Sequence, residues 1–411
     1  MHDTLPEDQP LWDKVKKTTK EIADFYNFLR IDTPILEKLE LFIRPLGEAS
    51  DVVEKQMFTL KTKGGDDLVM RPEGTAPIVR AYIENGLSHL GQPLKLYYQG
   101  PMFRYEQPQA GRLRELFQVG FEIISNDNDP VYDAQVIIPT FRLLEYLKIK
   151  DLELRVNSIG CARCRPNYRK RLLDYYRPKE KQLCNDCKRR IKINPLRLLD
   201  CKNEKCVEIK KDAPNILDSL DSDCKKHFKK VLEFLEEVKI PYNLDPHLVR
   251  GFDYYTKTVF EIFTSGFDHA LAGGGRYDYL VELVGGRQSP GVGSSLGVNR
   301  IIETIKTKNI NLLGRTKPKI FLVYVSDFAK VKALGLIEIF REAGIDVLES
   351  LGKESLSSQL KVANKAEANF SLIFGQQEAF EQSIIIRDMK SGAQETVPLK
   401  KIVEVLKRKI K

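Results

Sequence analysis

The sequence AGGGRYD at residues 272–278 lies between RGFDYY at residues 250–255 and a second glycine-rich run, GVGSSLGVNR, at residues 291–300. Three consecutive glycines let the backbone approach a ligand closely, because no Cβ stands in the way. A glycine-rich strand that leads into a helix with Arg300 near its start can seat a triphosphate. The stretch lacks the GxxxxGK pattern of a Walker phosphate-binding loop. Taken alone, a glycine run of this kind more often forms a tight turn.

A carboxylate precedes a predicted helix in the sequence RPEGT at residues 71–75. Glu73 ends a predicted strand, where its carboxylate can hold an ammonium group, and Thr75 occupies the position of a helix N-cap. Alone, this pattern is also that of an ordinary turn between a strand and a helix.

Two predicted strands joined by a polar loop carry the next cluster, GPMFRYE at residues 100–106 and FQVGFE at residues 117–122. Arg104, at the end of the first strand, can clamp an α-phosphate. Gln118 and Glu122 are four residues apart on the second strand, so their side chains share one face. Buried carboxylates and amides on one face usually serve a ligand or a polar network, although an exposed hairpin would show the same pattern.

The pattern of predicted elements changes along the 411 residues, which suggests two or three domains. Residues 1–160 and 236–310 combine strands and helices and are assigned to one core. Residues 161–235 are helical, basic and rich in cysteine, as expected of an inserted subdomain. Residues 317–411 alternate strands with helices, which predicts a small α/β domain with a largely parallel sheet.

The net charge of +9 is concentrated in two segments. Residues 161–230 hold 21 Lys and Arg against 10 Asp and Glu, and residues 317–411 hold 16 against 12. Basic segments on a less basic body indicate contact with a polyanion, nucleic acid first, although a solvated charged face is the plain alternative. The sequence shows no signal peptide and no apolar run long enough to cross a bilayer, so we expect a cytoplasmic protein without a membrane partner.

Together these stretches resemble the class II aminoacyl-tRNA synthetases, and closely resemble the histidyl-tRNA synthetases, over nearly the whole chain. Residues 34–58 resemble the dimer-forming first motif of that class, residues 103–106 with the following strand resemble the second, and residues 291–300 resemble the third. RGFDYY and AGGGRYD are similar to two signatures of the histidine enzymes and are much more specific than the three general motifs. One departure is Asn299, which precedes Arg300 where a glutamate is common in the family.

The resemblance implies an α+β fold in which a mainly antiparallel sheet flanked by helices forms the catalytic core. A helical insertion interrupts this core, and a C-terminal α/β domain binds the anticodon. The resemblance also implies a homodimer formed through the first motif. The implied activity is that of a ligase in protein biosynthesis: ATP and Mg²⁺ activate L-histidine as the adenylate, and the histidine passes to the 3′ end of tRNA-His.

The resemblance also assigns roles to individual residues. The catalytic residues are the cations Arg250, Arg104 and Arg300, which offset the negative charge that develops on the transferring phosphoryl group. The histidine-binding residues are Glu73, Gly74, Thr75, Gln118, Glu122, Tyr254 and Tyr255. The ATP-binding residues are Arg104, Glu106, Arg112, Phe117, Gly275 and Arg300. Within these sets, Glu122 and Tyr255 would read the imidazole ring, and Phe117 would stack on adenine.

All seven cysteines lie between residues 161 and 224. Two C-x2-C pairs with 19 residues between them fit the spacing of a four-cysteine structural zinc site. The predicted ligands are Cys161, Cys164, Cys184 and Cys187. A further pair, Cys201 and Cys206, can replace one of these pairs, and Cys224 is left over. Plain reduced cysteines are the alternative, because a reducing cytosol disfavours disulfides.

Two other functions fit parts of the pattern. The regulatory paralogue that partners ATP phosphoribosyltransferase in histidine biosynthesis generally lacks the C-terminal domain and has eroded histidine signatures, whereas both are intact here. A synthetase-like sensor of uncharged tRNA is usually fused to a kinase, and the sequence contains no kinase glycine loop or HRD motif. The synthetase is therefore the preferred interpretation.

Overall fold

A computed structural model of the protein describes residues 3–47, 52–106, 113–313, 319–350, 352 and 355–410. The chain divides into two compact units, Met1–Leu312 and Leu313–Lys411. Within the described ranges, no helix is both long enough and apolar enough to cross a membrane.

The first unit combines strands and α-helices throughout its described residues. Its strands are β1 (Leu29–Arg30), β2 (Leu36–Lys38), β3 (Phe58–Lys61), β4 (Asp67–Met70), β5 (Leu94–Phe103), β6 (Glu115–Ile124), β7 (Leu152–Ser158), β8 (Tyr242–Leu244), β9 (Thr256–Thr264), β10 (Ala272–Arg276) and β11 (Gly291–Gly297). Its α-helices are α1 (Gln9–Phe25), α2 (Glu40–Leu46), α3 (Thr75–Glu84), α4 (Val131–Tyr146), α5 (Cys164–Tyr176), α6 (Asn185–Ile193), α7 (Glu204–Lys210), α8 (Ser222–Glu237), α9 (Leu280–Leu283) and α10 (Val298–Thr307).

Eight of these strands form one sheet in the order β1-β5-β6-β11-β10-β9-β7-β8. The pairs from β5 to β7 are all antiparallel, and the short edge strands β1 and β8 each pair in parallel. The mainly antiparallel core sheet predicted from the sequence is therefore confirmed. β3 and β4 form a hairpin around Gly64 and Gly65, and with β2 they make a separate three-stranded sheet.

Strand β6 separates the two faces of the large sheet. Val119, Phe121 and Ile123 point into an apolar core to which α1, α4, α8 and α10 also contribute. Gln118 and Glu122 point to the opposite face, because side chains alternate along a strand. Helices therefore cover one face of the sheet, while the polar residues of β6 collect on the other.

Residues 161–235 are helical, as predicted. α5 buries Tyr168 and Leu172, α6 buries Ile191 and α7 buries Cys206, in a cluster that also contains Tyr254. α8 packs instead against α4, and its Phe228 joins the apolar core on the other face of the sheet. The segment thus contributes to both faces: three helices on the polar side, and a returning helix on the apolar side.

The second unit is smaller and alternates strands with helices. Its elements are β12 (Ile320–Tyr324), α11 (Asp327–Glu342), β13 (Val347–Glu349), α12 (Leu356–Lys365), β14 (Phe370–Phe374), α13 (Gln376–Glu381), β15 (Ser383–Asp388), β16 (Gln394–Pro398) and α14 (Leu399–Lys409). The strand order is β13-β12-β14-β15-β16.

The sheet of the second unit is mixed. β13, β12 and β14 are parallel, but β15 and β16 run antiparallel to their neighbours. The prediction of a largely parallel sheet is therefore wrong for β15 and β16. The connection through α13 is too short for a crossover between parallel strands, so β15 returns antiparallel to β14. A hairpin at Ser391 and Gly392 then adds β16.

A buried ion cluster ties β10 to α4 and α8. Arg276 is fully buried and donates to Asp133 from Nε at 3.0 Å and from Nη2 at 2.5 Å, while Nη1 lies 3.2 Å from Asp278. His227 Nε2 lies 3.4 Å from Asp133. Burial favours the protonated carboxyl, but Arg276 and His227 outweigh this effect and lower the pKa of Asp133. The cluster therefore holds an ionised carboxylate inside the protein.

Arg276→Ala is expected to reduce the free energy of unfolding by about 3–5 kcal/mol, because it leaves the Asp133 carboxylate buried without its main partner. Lys20→Ala is the control, since Lys20 pairs with Asp24 on the exposed face of α1. Its loss is expected to cost less than about 1 kcal/mol. Urea unfolding of both full-length variants measures the difference, and equal losses would show that the buried cluster contributes no more than a surface pair.

Candidate active site

An open cleft of about 860 Å³ lies on the polar face of the large sheet. Strands β5, β6, β9, β10 and β11 all contribute residues to it. The residues predicted from the sequence that line the cleft are Glu73, Thr75, Arg104, Glu106, Gln118, Arg250, Tyr254, Tyr255 and Arg300. Motifs from distant parts of the chain thus converge on one place.

Glu73 stands just before α3 and is 4% exposed. Its carboxylate accepts the backbone N–H groups of Thr75 at 2.8 Å and Ala76 at 2.7 Å, and the Tyr254 hydroxyl lies 3.4 Å away. Burial raises the pKa of Glu73, although the hydrogen bonds from Ala76 and Thr75 act in the opposite direction. The prediction that Thr75 caps this helix is wrong: Thr75 is its first residue, and Glu73 provides the capping carboxylate.

Glu122 is completely buried in β6, directly behind Thr75. Its Oε1 accepts the Thr75 hydroxyl at 2.7 Å, and its Oε2 accepts the Tyr277 hydroxyl at 2.6 Å. Burial raises the pKa of Glu122 from 4.5 to about 8, against the effect of these two hydrogen bonds, and Glu73 adds to the rise. The neighbouring strand makes room, because a Cβ at Gly293 would overlap with the carboxyl group. A carboxyl group with so high a pKa beside a cleft is characteristic of functional sites.

Four tyrosine rings surround these two carboxyl groups. Tyr98, Tyr254, Tyr255 and Tyr277 are each at most 7% exposed. The Tyr254 ring centre lies 4.5 Å from that of Tyr255 and 6.0 Å from that of Tyr277. Gly74 admits the Tyr98 ring, since a Cβ at this position would overlap with it. The structure therefore gives Gly74 a packing role at the edge of the cleft.

Gln118 is 6% exposed and lines the cleft from the same face of β6 as Glu122. Within the described part of the chain, its side-chain oxygen has no hydrogen-bond donor. A buried acceptor without a partner is unfavourable unless a ligand supplies the missing donor. Gln118 is therefore a candidate to bind an N–H group.

Two of the three predicted catalytic arginines are held by backbone carbonyls at the edge of the cleft. Arg104 follows β5 and donates from Nε to the carbonyl of Pro72 at 2.8 Å. Arg300 lies in the first turn of α10 and donates from Nη1 to the carbonyl of Ala270 at 2.8 Å. These contacts position two cations that are almost 200 residues apart in the sequence.

Arg250 forms an ion pair with Glu261 of β9 at the wall of the cleft. Burial alone would lower the pKa of Arg250, but the Glu261 carboxylate and the nearby tyrosines raise it overall, so the side chain stays a cation. A Cβ at Gly273 would lie 2.6 Å from the guanidinium group. The glycine run forms strand β10 and packs against Arg250, so the alternative interpretation as a tight turn is wrong.

Phe117, predicted to stack on adenine, lies on the other face of the sheet. Its ring packs edge-on against Trp12, with 5.5 Å between the ring centres. The Oδ1 atom of Asn299 accepts its N–H at 2.8 Å, which gives the departure at position 299 a structural role. Because side chains alternate along β6, the neighbouring position that lines the cleft is Leu116.

Gly275, also predicted to bind ATP, lies beneath Tyr255 rather than beside the arginines. A Cβ at Gly275 would approach the Tyr255 ring to 2.9 Å, and the glycine in contact with Arg250 is Gly273. Arg112, the remaining predicted ATP-binding residue, lies outside the described residues. Glu106 lines the cleft as the prediction requires.

The seven cysteines are all free thiols and belong to two separate clusters. In each cluster, four possible ligand atoms lie within 4.8 Å of one another. The first cluster is Cys184, Cys187, Cys201 and Cys206. The second is Cys161, Cys164, Asp221 and Cys224. The prediction that the two C-x2-C pairs share one zinc site is therefore wrong, because the fold brings each pair to a different partner.

The sequence analysis gave no role to four residues around the cleft: Tyr98, Leu116, Glu261 and Tyr277. Glu261 carries a signal, since a charged residue inside the apolar strand TKTVFEIFT requires a partner. Leu116 follows from strand alternation, counted from Gln118. Tyr98 shows no pattern that separates it from core aromatic residues, whereas Tyr277 lies within the AGGGRYD signature, which pointed to it without giving its role.

Comparisons with known proteins agree with this geometry. The family model described as histidyl-tRNA synthetase matches residues 1–301, and the one described as anticodon binding domain matches residues 319–409. A protein named histidine–tRNA ligase from Natranaerobius thermophilus is 44% identical, covering 98% of this chain and 97% of that protein. Another of the same name from Dehalococcoides mccartyi is 42% identical, covering 99% of this chain and 98% of that protein.

Solved structures point to the same family. The crystal structure of apo S. aureus histidyl-tRNA synthetase superimposes with a TM-score of 0.81 at 34% identity, covering 99% of this chain and 98% of that chain. An ATP phosphoribosyltransferase regulatory subunit/histidyl-tRNA synthetase from Bacillus halodurans has a TM-score of 0.67 at 23% identity, covering 91% and 97%, which shows the fold alone. From its family models and its relatives of nearly equal length, this chain belongs to the histidyl-tRNA synthetase family of aminoacyl-tRNA ligases.

Proposed function

We propose that the protein activates L-histidine with ATP, releasing pyrophosphate, and then transfers the histidine to the 3′ end of tRNA-His. The observation that carries this proposal is the cleft itself. It brings the cations Arg104, Arg250 and Arg300 to the same space as the Glu73 carboxylate and the oxygen of Gln118, which has no donor in the part of the chain that the structure describes. These groups match the phosphates of a nucleotide and the ammonium group of an amino acid.

Glu73 and Gln118 are proposed to receive the α-ammonium group of histidine. Both are nearly buried at the wall of the cleft, so a charged donor there gains strong hydrogen bonds. The Gln118 oxygen has no donor among the described residues. Binding an ammonium group would therefore satisfy an acceptor that the free protein leaves unsatisfied.

Glu122 and Tyr255 are proposed to read the imidazole ring. A ring N–H of histidine can replace the Thr75 hydroxyl as a donor to Glu122, and the carboxylate then fixes the tautomer of the ring. The Tyr255 hydroxyl can donate to the other ring nitrogen, while Tyr254 lines the pocket. An amino acid with an apolar side chain leaves these buried groups unpaired, which disfavours its binding strongly.

In the first step, a carboxylate oxygen of histidine forms a bond to the α-phosphorus of ATP while the bond from that phosphorus to the pyrophosphate oxygen breaks. Arg250 and Arg104 offset the charge that develops on the equatorial oxygens, and Arg300 binds the departing pyrophosphate. When bound, Mg²⁺ supplies further positive charge, and the cleft carboxylates Glu115 and Glu303 are ligands of the type it prefers. In the second step, a ribose hydroxyl of the tRNA bonds to the carbonyl carbon and AMP leaves.

The tRNA is proposed to contact both basic segments of the chain. We assign residues 1–160 and 236–310 to the catalytic core, residues 161–235 to an insertion that faces the acceptor end, and residues 317–411 to anticodon binding. Basic surfaces of this kind attract the phosphate backbone independently of sequence. The protein is further proposed to work in the cytoplasm as a homodimer formed through residues 34–58.

The first cysteine cluster is proposed to hold a structural zinc ion. The sulfur atoms of Cys184 and Cys201 are 3.8 Å apart, and sulfur atoms about 2.3 Å from a tetrahedral zinc ion stand about 3.8 Å apart. The Cys184 N–H donates to the Cys206 sulfur at 3.3 Å. The turn before Cys201 carries Arg197, which donates to the carbonyl of Gly251, so this cluster supports the segment that bears Arg250.

Histidine alone is expected to support ATP–pyrophosphate exchange when all twenty amino acids are tested. Arg250→Ala should lower kcat about 10²–10³-fold, because a cation that stabilises the transition state is lost. Arg142→Ala is the matched control, since Arg142 pairs with Glu145 on α4, which packs on the other face of the sheet. Histidine binding without exchange for any amino acid would instead indicate a regulatory binding protein.

Leu116→Ala is expected to raise the KM for ATP about threefold to tenfold, because an apolar contact of about 1 kcal/mol with the adenine is lost. Phe117→Ala should leave the KM for ATP unchanged but lower the Tm, since its ring packs against Trp12 on the other face. Exchange kinetics at saturating histidine measure both. A raised KM for ATP in Phe117→Ala, with an unchanged KM in Leu116→Ala, would instead show that Phe117 stacks on adenine.

Glu122→Gln is expected to lower exchange with histidine by at least about 10²-fold, because the contact proposed to read the imidazole ring is altered. The same variant is expected to stabilise the ligand-free protein at higher pH. The pKa of Glu122 rises from 4.5 to about 8 on folding. Its contribution to stability is therefore present below pH 4.5 and is lost as the pH rises through about 8, whereas glutamine does not ionise. The Tm of the variant relative to the wild type should increase between about pH 5 and about pH 8.5. A difference independent of pH would contradict the raised pKa.

A further inference from the structure

The second cysteine cluster offers a complete set of metal ligands of its own. We propose that Cys161, Cys164, Asp221 and Cys224 bind one zinc ion, separate from the ion of the four-cysteine cluster. The four possible ligand atoms lie within 4.8 Å of one another. Three thiolates and one carboxylate complete the four-coordinate shell that structural zinc sites require.

The distances between the ligand atoms fit a tetrahedral ion. The sulfur atoms of Cys161 and Cys164 are 3.7 Å apart, and the Cys161 sulfur lies 3.4 Å from Asp221 Oδ2. With Zn–S of about 2.3 Å and Zn–O of about 2.0 Å, a tetrahedron gives about 3.8 Å between two sulfurs and about 3.5 Å between a sulfur and an oxygen. A disulfide would bring the sulfurs to about 2.05 Å. The atoms are therefore spaced for a shared metal rather than for a covalent bond.

Asp221 has one oxygen for the helix and one for the metal. Oδ1 accepts the Cys224 N–H at 2.8 Å and so caps the N-terminus of α8. Oδ2 points instead toward the thiols. Asp221 is partly exposed, and Arg163 also approaches its Oδ2. The oxygen that faces the thiols thus provides the fourth ligand atom that three cysteines alone would lack.

The ligands come in two similar halves, Cys161-x2-Cys164 and Asp221-x2-Cys224. Backbone N–H groups stabilise the sulfurs, as the Asp221 N–H donates to the Cys164 sulfur at 3.2 Å. Gly160 has a φ of +65°, and a Cβ there would lie 2.7 Å from the Cys164 Cβ, so the first half requires glycine before it. Such surroundings orient ligands and tune a metal site.

Nearby arginines match the charge of the site. Zinc with three thiolates and one carboxylate carries 2 − 4 = −2. Arg163 Nε lies 3.5 Å from Asp221 Oδ2. Arg165, one residue beyond Cys164, donates to the carbonyl of Tyr255 in the histidine pocket. The proposed ion therefore fixes the start of α5, which in turn contacts the backbone of a pocket residue.

The site also joins the two ends of the helical segment. Cys161 follows β7, where the chain leaves the large sheet, and Asp221 precedes α8, where it returns, 60 residues later. Closing a loop of this length restricts the unfolded chain and so favours the folded state. The structural role of this zinc is thus to close the base of the segment.

Zinc content of the full-length protein tests the proposal directly. The wild type, produced with zinc and purified without chelator, is expected to hold about two zinc ions per chain by native mass spectrometry. Asp221→Asn keeps the helix cap, because asparagine caps as well as aspartate, and should reduce the content to about one, as should Cys224→Ser. Cys206→Ser is the matched variant in the other cluster and should also leave about one.

Thiol labelling identifies which cluster holds each ion, whether or not the variants fold. In the wild type, Cys161, Cys164 and Cys224 should resist alkylation until a chelator removes the metal, and then react together. A wild-type protein with a single zinc whose removal exposes only the four-cysteine cluster would overturn the proposal. So would a Cys224→Ser protein that holds as much zinc as the wild type. Neither readout depends on the proposed aminoacylation activity.

Discussion

Enclosing the carboxyl group of Glu122 is the constraint on which the arrangement of the first unit depends. A fully buried carboxyl needs donors and space, and three separate stretches of chain provide them. Thr75 begins α3, Tyr277 follows β10, and Gly293 of β11 leaves the space that the carboxyl occupies. The helix and the strands must therefore meet at one point for the group to be buried at all. The raised pKa shows that even this enclosure leaves ionisation unfavourable.

The charges of the cleft are arranged around that point. Glu73, Glu122 and four tyrosines form one group, while Arg104, Arg250 and Arg300, held by carbonyls or by Glu261, contribute a separate set of cations to the cleft. This separation matches a ligand pair in which a cationic amino acid meets a polyanionic nucleotide. Because protein groups already hold Arg104, Arg250 and Arg300 in place, the proposed reaction would need little reorganisation as charge develops.

Local patterns predicted the position of Gln118 and Glu122, the family resemblance supplied the proposed roles, and the errors have physical causes. The spacing of Gln118 and Glu122 on β6 was sufficient to place both on one face. The same alternation excludes Phe117 from that face, but its role was taken from a family resemblance, which is not tied to strand geometry. The cysteine pairs could not be matched from spacing, because only the fold decides which pairs meet. Strand direction in the second unit likewise depends on the length of the connection through α13, which was not recognised.

The closed base of the helical segment has a consequence for how this protein can vary. Since the chain leaves the sheet at Cys161 and returns at Asp221 within one cluster of side chains, the residues between them impose no distance on the strands they connect. The outward-facing surface of these helices can therefore change in length and sequence while β7 keeps its register with β9. The inner contacts are not free to change in this way, because Arg165 and Arg197 of the same segment donate to the backbone of Tyr255 and Gly251 beside the cleft.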